Sequence, residues 1–173
     1  MARAFIGVGS NINPEENVRG ALRLLGQQVR IAGVSTVYRT RALDRPGQPQ
    51  FYNCVVGIET EIPAAELKRS VLRRIEHELG RVRSADKYAP RTIDLDVLIY
   101  GDMVVETEGV VIPDPEIARR AFLAIPLHEL APDLVLPGSG RRIAEAAAQL
   151  GSQEMEPLPR YTELLRRDVA HER

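Results

Sequence analysis

The chain holds a single cysteine, Cys54, among 173 residues. One thiol excludes an internal disulfide framework and fits a reducing compartment, and its place in an apolar run points to packing rather than to nucleophilic chemistry. An excess of either charge is also missing: 23 Lys plus Arg stand against 24 Asp plus Glu, a net charge of -1. That balance removes any global pull toward nucleic acid or anionic membrane, so recognition of an anion has to be local. No apolar run approaches the roughly 20 residues of a spanning helix, and MARAFIGVGSN is too short for a secretory leader. The expectation is a soluble, cytoplasmic protein. The three histidines, His77, His128 and His171, lack metal-ligand spacing. A Walker loop and a GxSxG elbow are absent, and GVGSNI begins a GxGxxG motif but lacks its last glycine. There is no internal repeat and no low-complexity tract.

What remains is an ordinary globular composition, 44% apolar and 27% charged, sized for one compact domain. Arg3 to Val8 reads as a strand ending on the turn formers Gly9-Ser10-Asn11. Asn13 offers an N-cap, Pro14 the first helical position and Glu16 a capping-box carboxylate, ahead of Val18, Ala21, Leu22 and Leu25 at helical spacing. A second strand covers Arg30 to Tyr38, and the Pro- and Gly-rich loop RALDRPGQPQ follows. From Phe51 to Thr60 a third strand places Phe51, Asn53 and Val55 on one face and Cys54, Val56 and Ile58 on the other. Pro63 opens a helix with Leu67, Val71, Ile75 and Leu79 every four residues, closed by Gly80. The fourth strand lies in PRTIDLDVLIYG, where Ile93, Leu95, Val97 and Ile99 alternate with Asp94, Asp96 and Leu98. Gly101-Asp102 is expected to turn it into a hairpin with Met103 to Val105.

This order predicts an α+β, ferredoxin-like split βαβ sandwich: an antiparallel sheet with helices on one face, and additional C-terminal helices such as Ile143 to Leu150. A single domain is expected over residues 1–150. Residues 151–173 read as a polar C-terminal extension, in which PRYTELLRRDVAHER is either a charged terminal helix or, as is commoner for such a tail, frayed surface.

Residues two apart on a strand share a face with Cα atoms about 6.5 to 7 Å apart, so Asp94 and Asp96 project side by side. Asp is a poor strand former and like charges repel, a cost that a hard divalent cation offsets. Such a pair suits one or two Mg²⁺ ions, which prefer oxygen ligands and retain waters and substrate phosphates. From Lys68 to Arg91, basic residues outnumber Glu76, Glu78 and Asp86. Lys68 and Arg69 read as solvated helix surface. Arg81, Arg83, Lys87 and Arg91 instead cluster just before the acid pair, and arginine forks suit phosphate oxygens.

GRVR at Gly80 to Arg83 and KYAPRTIDLDVL at Lys87 to Leu98 resemble the signature of the 6-hydroxymethyl-7,8-dihydropterin pyrophosphokinases. GSN at Gly9 to Asn11, YRT at Tyr38 to Thr40, FYN at Phe51 to Asn53, RRAF at Arg119 to Phe122 and PLHELAP at Pro126 to Pro132 extend the likeness. The resemblance implies transfer of the terminal diphosphate of ATP to the pterin hydroxymethyl group, with release of AMP, in tetrahydrofolate biosynthesis. It implies two Mg²⁺ ions held by Asp94 and Asp96, phosphates clamped by Arg81 and Arg91, and further nucleotide contacts from Glu76, Arg83, Tyr88, Val97 and Arg120. It also implies a pterin ring between Phe51 and Phe122, its edge bonded by Asn53, with Thr40 to Leu43 nearby. ATP and the pterin are then the partners of an expected monomer, without nucleic acid or membrane. Two positions depart from the family pattern: Asp114 stands where a histidine is usual, and Arg41 where a proline is frequent. An anion at 114 repels ATP unless it faces a metal or one of Arg119 and Arg120.

Two other readings fit the residues alone. A ferredoxin-like module binding RNA or a small regulator would use the same open sheet face, but calls for stacking aromatics and a basic surface there. Another two-metal enzyme, a nuclease or nucleotidyltransferase, would share the Asp pair.

Overall fold

Strand β1 (Ala2–Ser10) is buried continuously from Ala4 to Ser10, because it has a strand on either side and cover on both faces. A computed structural model describes residues 1–42, 47–86, 89–107 and 109–172; Leu43 and Tyr88, both implicated by the resemblance, lie outside the described residues. The main sheet runs β5 (Asp94–Tyr100), β1, β4 (Phe51–Thr60), β3 (Tyr38–Thr40), β8 (Glu156–Pro157), with β2 (Arg30–Val34) also paired to β4. All the pairings are antiparallel, as the ferredoxin-like arrangement requires.

The expected single strand Arg30 to Tyr38 is two strands. Ser35 breaks it: its N–H donates to Val55 O at 2.9 Å and its Oγ accepts from Val55 N–H at 2.8 Å, so a side chain replaces one ladder partner. The strand after Gly101-Asp102 does not fold back onto β5 either. β6 (Val105–Thr107) pairs with β7 (Val110–Ile112) in a separate two-stranded sheet.

Helix α1 (Pro14–Gly26) buries Val18, Ala21, Leu22 and Leu25, as their spacing predicts. Asn13 caps it differently from expectation: its backbone is left-handed at φ 41° and its side chain makes no cap bond, a conformation asparagine tolerates better than most residues. Helix α2 comprises Ala64–Glu66, a π-wound turn over Leu67–Leu72 and Arg73–Glu78. A strict four-residue apolar repeat drifts about 40° per step around an α-helix, and the wider π turn pulls Leu67, Val71 and Ile75 back onto one stripe.

The sheet carries two cores. On one face α1 and α2 cover Ile6, Val8, Val56, Ile58, Leu95 and Val97. On the other, α3 (Ala121–Leu130) and α4 (Ile143–Leu150) pack Ala124, Leu127 and Ile143 over Phe5, Val55, Leu98 and Ile99. The two helices of the split βαβ pattern share one face, as expected; the additional C-terminal pair, to which the sequence assigned no face, closes half of the face expected to stand open. A β-bulge opposite Phe5 and Ile6 ends the simple alternation of β5, so that Leu98 and Ile99 both join the second core.

Of the two readings of the C-terminal extension, the structure shows the charged terminal helix and not frayed surface. Helix α5 (Pro159–His171) buries Thr162, Leu165 and Val169 against α1 and β2. Among the described residues no helix is long and apolar enough to cross a membrane.

Candidate active site

Because α3 stops short, one end of the second sheet face remains a cleft of about 260 Å³, at the small end of ligand pockets. Phe51 and Asn53 reach it from β4, Asp94 and Asp96 from β5, and Thr40 to Ala42 from the end of β3. Phe122 and Arg120 enter from the start of α3, and Asp114 and Glu116 from the adjoining 3₁₀ turn. Thus an apolar and amide end, contributed by β3, β4 and α3, adjoins an acidic end contributed by β5.

At the first end, Asn53 is 8% exposed and its Nδ2 donates to Thr40 Oγ1 at 2.6 Å. That bond fixes the amide and leaves its oxygen as the acceptor. Gly9 makes room for it: a Cβ there would stand 2.8 Å from Asn53 Oδ1. The glycine of GSN is thus set by a close approach, not by a turn.

At the second end, Asp94 is bracketed by arginines. Arg81 donates to its Oδ1 and Arg91 to its Oδ2, each at 2.8 Å. Behind them Glu76, only 3% exposed, accepts from Arg81, from Arg83 at 2.6 Å and from Leu95 N–H at 3.2 Å. This buried carboxylate sits on α2, so it ties the arginine segment and β5 to the helix layer. Burial opposes the Arg81 charge, but Asp94 and Glu76 outweigh it and hold its pKa above the ordinary value.

Asp96 faces the opposite situation. Burial first, then the carboxylates of Asp94 and Asp114, push its pKa up to about 7, against the partial relief of Lys68. Lys68, read as solvated surface, therefore has an electrostatic reach into the site. Asp114 is raised too, chiefly by burial, though its Oδ1 accepts from Glu116 N–H at 2.9 Å and caps the 3₁₀ turn. Arg119 and Arg120 do not face Asp114; both pair with Glu116, at 3.5 and 2.9 Å. The two carboxylates raised in this way, Asp96 and Asp114, are what a divalent cation relieves. Among the described residues no group of three or more His, Cys, Asp or Glu is placed to hold a metal. Two carboxylates plus ligand phosphates are the donor set available, one that suits Mg²⁺ better than a closed protein cage.

Of the residues singled out in the sequence, the cleft gathers Thr40, Phe51, Asn53, Arg91, Asp94, Asp96, Arg120 and Phe122. Arg81, Arg83 and Glu76 stand behind it as the network just described. Val97 is 6% exposed and packs in the first core, on the face away from Asp94 and Asp96, so the nucleotide contact that the resemblance implies for it would come from its main chain. Leu98 lines the cleft instead. Cys54 is fully buried with its thiol pushed up to about 12, which rules out a reactive thiolate.

Sequence reasoning gave no role to Asn11, Gln48 or Glu116. Asn11 is 2% exposed; its Oδ1 accepts from Arg91 N–H at 2.8 Å, and its Nδ2 donates to Gln48 and to Pro49 O at 3.4 Å. It joins the arginine segment to the loop before β4. The sole signal was its place in GSN.

Residues 5–132 match the model of the family described as 7,8-dihydro-6-hydroxymethylpterin-pyrophosphokinase. A 2-amino-4-hydroxy-6-hydroxymethyldihydropteridine pyrophosphokinase from Haemophilus influenzae is 38% identical over 90% of this chain and 97% of its own. One of the same name from Pseudomonas aeruginosa is 35% identical over 92% of this chain and 98% of its own. The fold also matches a crystal structure of Plasmodium falciparum HPPK-DHPS, with a TM-score of 0.71 at 13% identity; the match covers 88% of this chain and 44% of that longer one.

Proposed function

The chain belongs to the 7,8-dihydro-6-hydroxymethylpterin-pyrophosphokinase family, and on that premise we propose that it transfers the terminal diphosphate of ATP to the hydroxymethyl group of 6-hydroxymethyl-7,8-dihydropterin, releasing AMP for folate biosynthesis. The observation that carries the reading is one cleft holding Phe51, Phe122 and Asn53 beside Asp94, Asp96 and Arg91. A flat heterocycle with polar edges fits the first group, and a polyphosphate with its counterions fits the second.

In this reading the pterin lies between Phe51 and Phe122, and the Asn53 oxygen, oriented by Thr40, accepts from the ring edge. Its hydroxymethyl oxygen then approaches the β-phosphorus of ATP, the bond to the α-phosphate oxygen breaks, AMP leaves and the hydroxyl proton is lost. Asp94 and Asp96 would hold two Mg²⁺ ions. When bound, these neutralise the charge shared by the β- and γ-phosphates. Arg81 and Arg91, each bonded to Asp94, would clamp the phosphates. Arg83 and Arg120 add contacts along the nucleotide, with Glu76 fixing the first of them from behind. No strong general base is needed, because alignment and charge neutralisation carry most of the barrier reduction in phosphoryl transfer. Asp114 adds negative charge that acts on Asp96 and that cations held there would also offset.

The assay is direct. Protein, Mg-ATP and 6-hydroxymethyl-7,8-dihydropterin are incubated and the adenine nucleotides resolved; pterin-dependent AMP is the expected product, and ADP or no turnover would sink the assignment.

A further inference from the structure

The family match ends at residue 132, and the last part of the chain, besides packing on α1, makes a cluster of bonds to one short stretch, Val34 to Arg39. Leu158 N–H donates to Val37 O at 2.8 Å, and Val37 N–H donates to Thr162 Oγ1 at 2.9 Å. Val37 is 0% exposed, so both polar groups of this buried peptide unit are satisfied by the C-terminal segment. Arg166 Nε donates to Val34 O at 3.0 Å and its Nη2 meets Glu129 at 3.1 Å, the carboxylate that also receives Thr36 N–H. β8 then pairs with β3, setting Tyr38 against Pro157 and Arg39 against Glu156.

The stretch so held is the point where β2 has ended and β3 begins. β3 has three residues, and without β8 it would be an edge strand resting on β4 alone. So short an edge holds its register weakly. Yet β3 carries Thr40, whose hydroxyl orients Asn53.

We propose that the C-terminal segment, through Leu158, Thr162, Arg166 and β8, is a positioning device for the heterocycle end of the cleft. It holds β3 so that Thr40 presents Asn53 correctly. This rests on the assignment of the pterin to Phe51, Asn53 and Phe122. The phosphate end is anchored elsewhere: Asp94 and Asp96 are on β5, with β1 and β4 between them and β3. The segment therefore acts on one substrate and not on the other.

The test uses the full-length protein and steady-state kinetics with each substrate varied in turn. Thr162→Val keeps the side-chain shape and removes the acceptor for a buried N–H, so the KM for the pterin should rise about tenfold while that for ATP stays within about twofold. Thr162→Ser, which keeps the hydroxyl, should restore the wild-type value. Arg166→Ala, at a half-exposed position where folding is not at stake, should shift the pterin KM in the same direction by a smaller factor. An unchanged pterin KM in Thr162→Val overturns the proposal, as does an equal rise in both KM values; if Thr162→Val does not fold, the same outcomes in Arg166→Ala decide it. The wild type is run in parallel. Absence of pterin-dependent AMP there overturns the functional assignment and this proposal together, whereas normal wild-type turnover with unaltered variants overturns the positioning role alone.

Discussion

Replacing Glu76 with alanine should be among the most destabilising single changes in the protein. Glu76 is 3% exposed and accepts from Arg81, Arg83 and Leu95 N–H. The Arg83 side chain is 54% exposed, so it returns to water at little cost and contributes little. Arg81 is 12% exposed and cannot do so; it keeps Asp94 but loses its deeper partner. Leu95 N–H is left buried without an acceptor. Breaking a buried charge pair from one side costs about 3 to 5 kcal/mol. For a chain of this size that corresponds to roughly 6 to 20 °C in Tm. Urea denaturation followed by circular dichroism should show a lowered midpoint with an unchanged slope. Glu76→Gln, which keeps the acceptor for Leu95 N–H but loses the charge, should fall between. A loss below about 1 kcal/mol in Glu76→Ala would refute the reasoning, because it would mean that Arg81 is adequately balanced by Asp94 alone.

Other consequences follow from the same site. Asp96, raised from 3.8 to about 7 by burial and neighbouring carboxylates, binds a proton in the folded state that the unfolded chain has released; its contribution to stability is full below the unfolded value and is lost as pH rises toward 7. Urea midpoints measured against pH without metal should show this decline in the wild type and not in Asp96→Asn; parallel curves would contradict it. Asp94→Ala and Asp96→Ala should each lower turnover at least about a hundredfold with far-UV dichroism unchanged, and a normal Mg²⁺-dependent rate in either would refute the cation assignment. Phe122→Ala should weaken pterin binding about tenfold or more while leaving ATP within about twofold, since stacking area is what it removes; calorimetry giving equal losses for both ligands would contradict its placement.

The parts of this molecule legible in the sequence are those governed by local periodicity. The stripe of α1, the faces of β4 and the pairing of Asp94 with Asp96 on one side of β5 follow from spacing alone, and they place the acidic end of the site. The missed features depend on contacts between distant residues. Ser35 breaks a strand by bonding Val55, twenty positions away, and nothing in its neighbours announces that. The role of Gly9 is set by the approach of Asn53, and that of Asn11 by Arg91. The C-terminal helix is open to the sequence as one of two readings, since Leu158, Thr162, Leu165 and Val169 recur at helical spacing. Its high charge masked a narrow apolar stripe that only the groove between α1 and β2 makes sufficient.

The bulge in β5 gives one strand two different jobs. On its first half, side chains alternate, so Asp94 and Asp96 turn to the cleft while Leu95 and Val97 anchor the strand beneath them. At Leu98 the alternation skips a beat, and Ile99 joins it on the side the acids occupy. The extra residue works as a phase shifter: it lets a hydrophilic tip and a greasy root lie on the same side of a continuous strand. Removing Leu98 would restore a regular ladder and leave Asp94, Asp96 and Ile99 on the same side, at the expense of the one side chain that joins the cleft wall to the second core. Ahead of the bulge there is no such slack: a one-residue insertion or deletion between Asp94 and Val97 should turn one acid toward the helix layer and be tolerated far less than a substitution there.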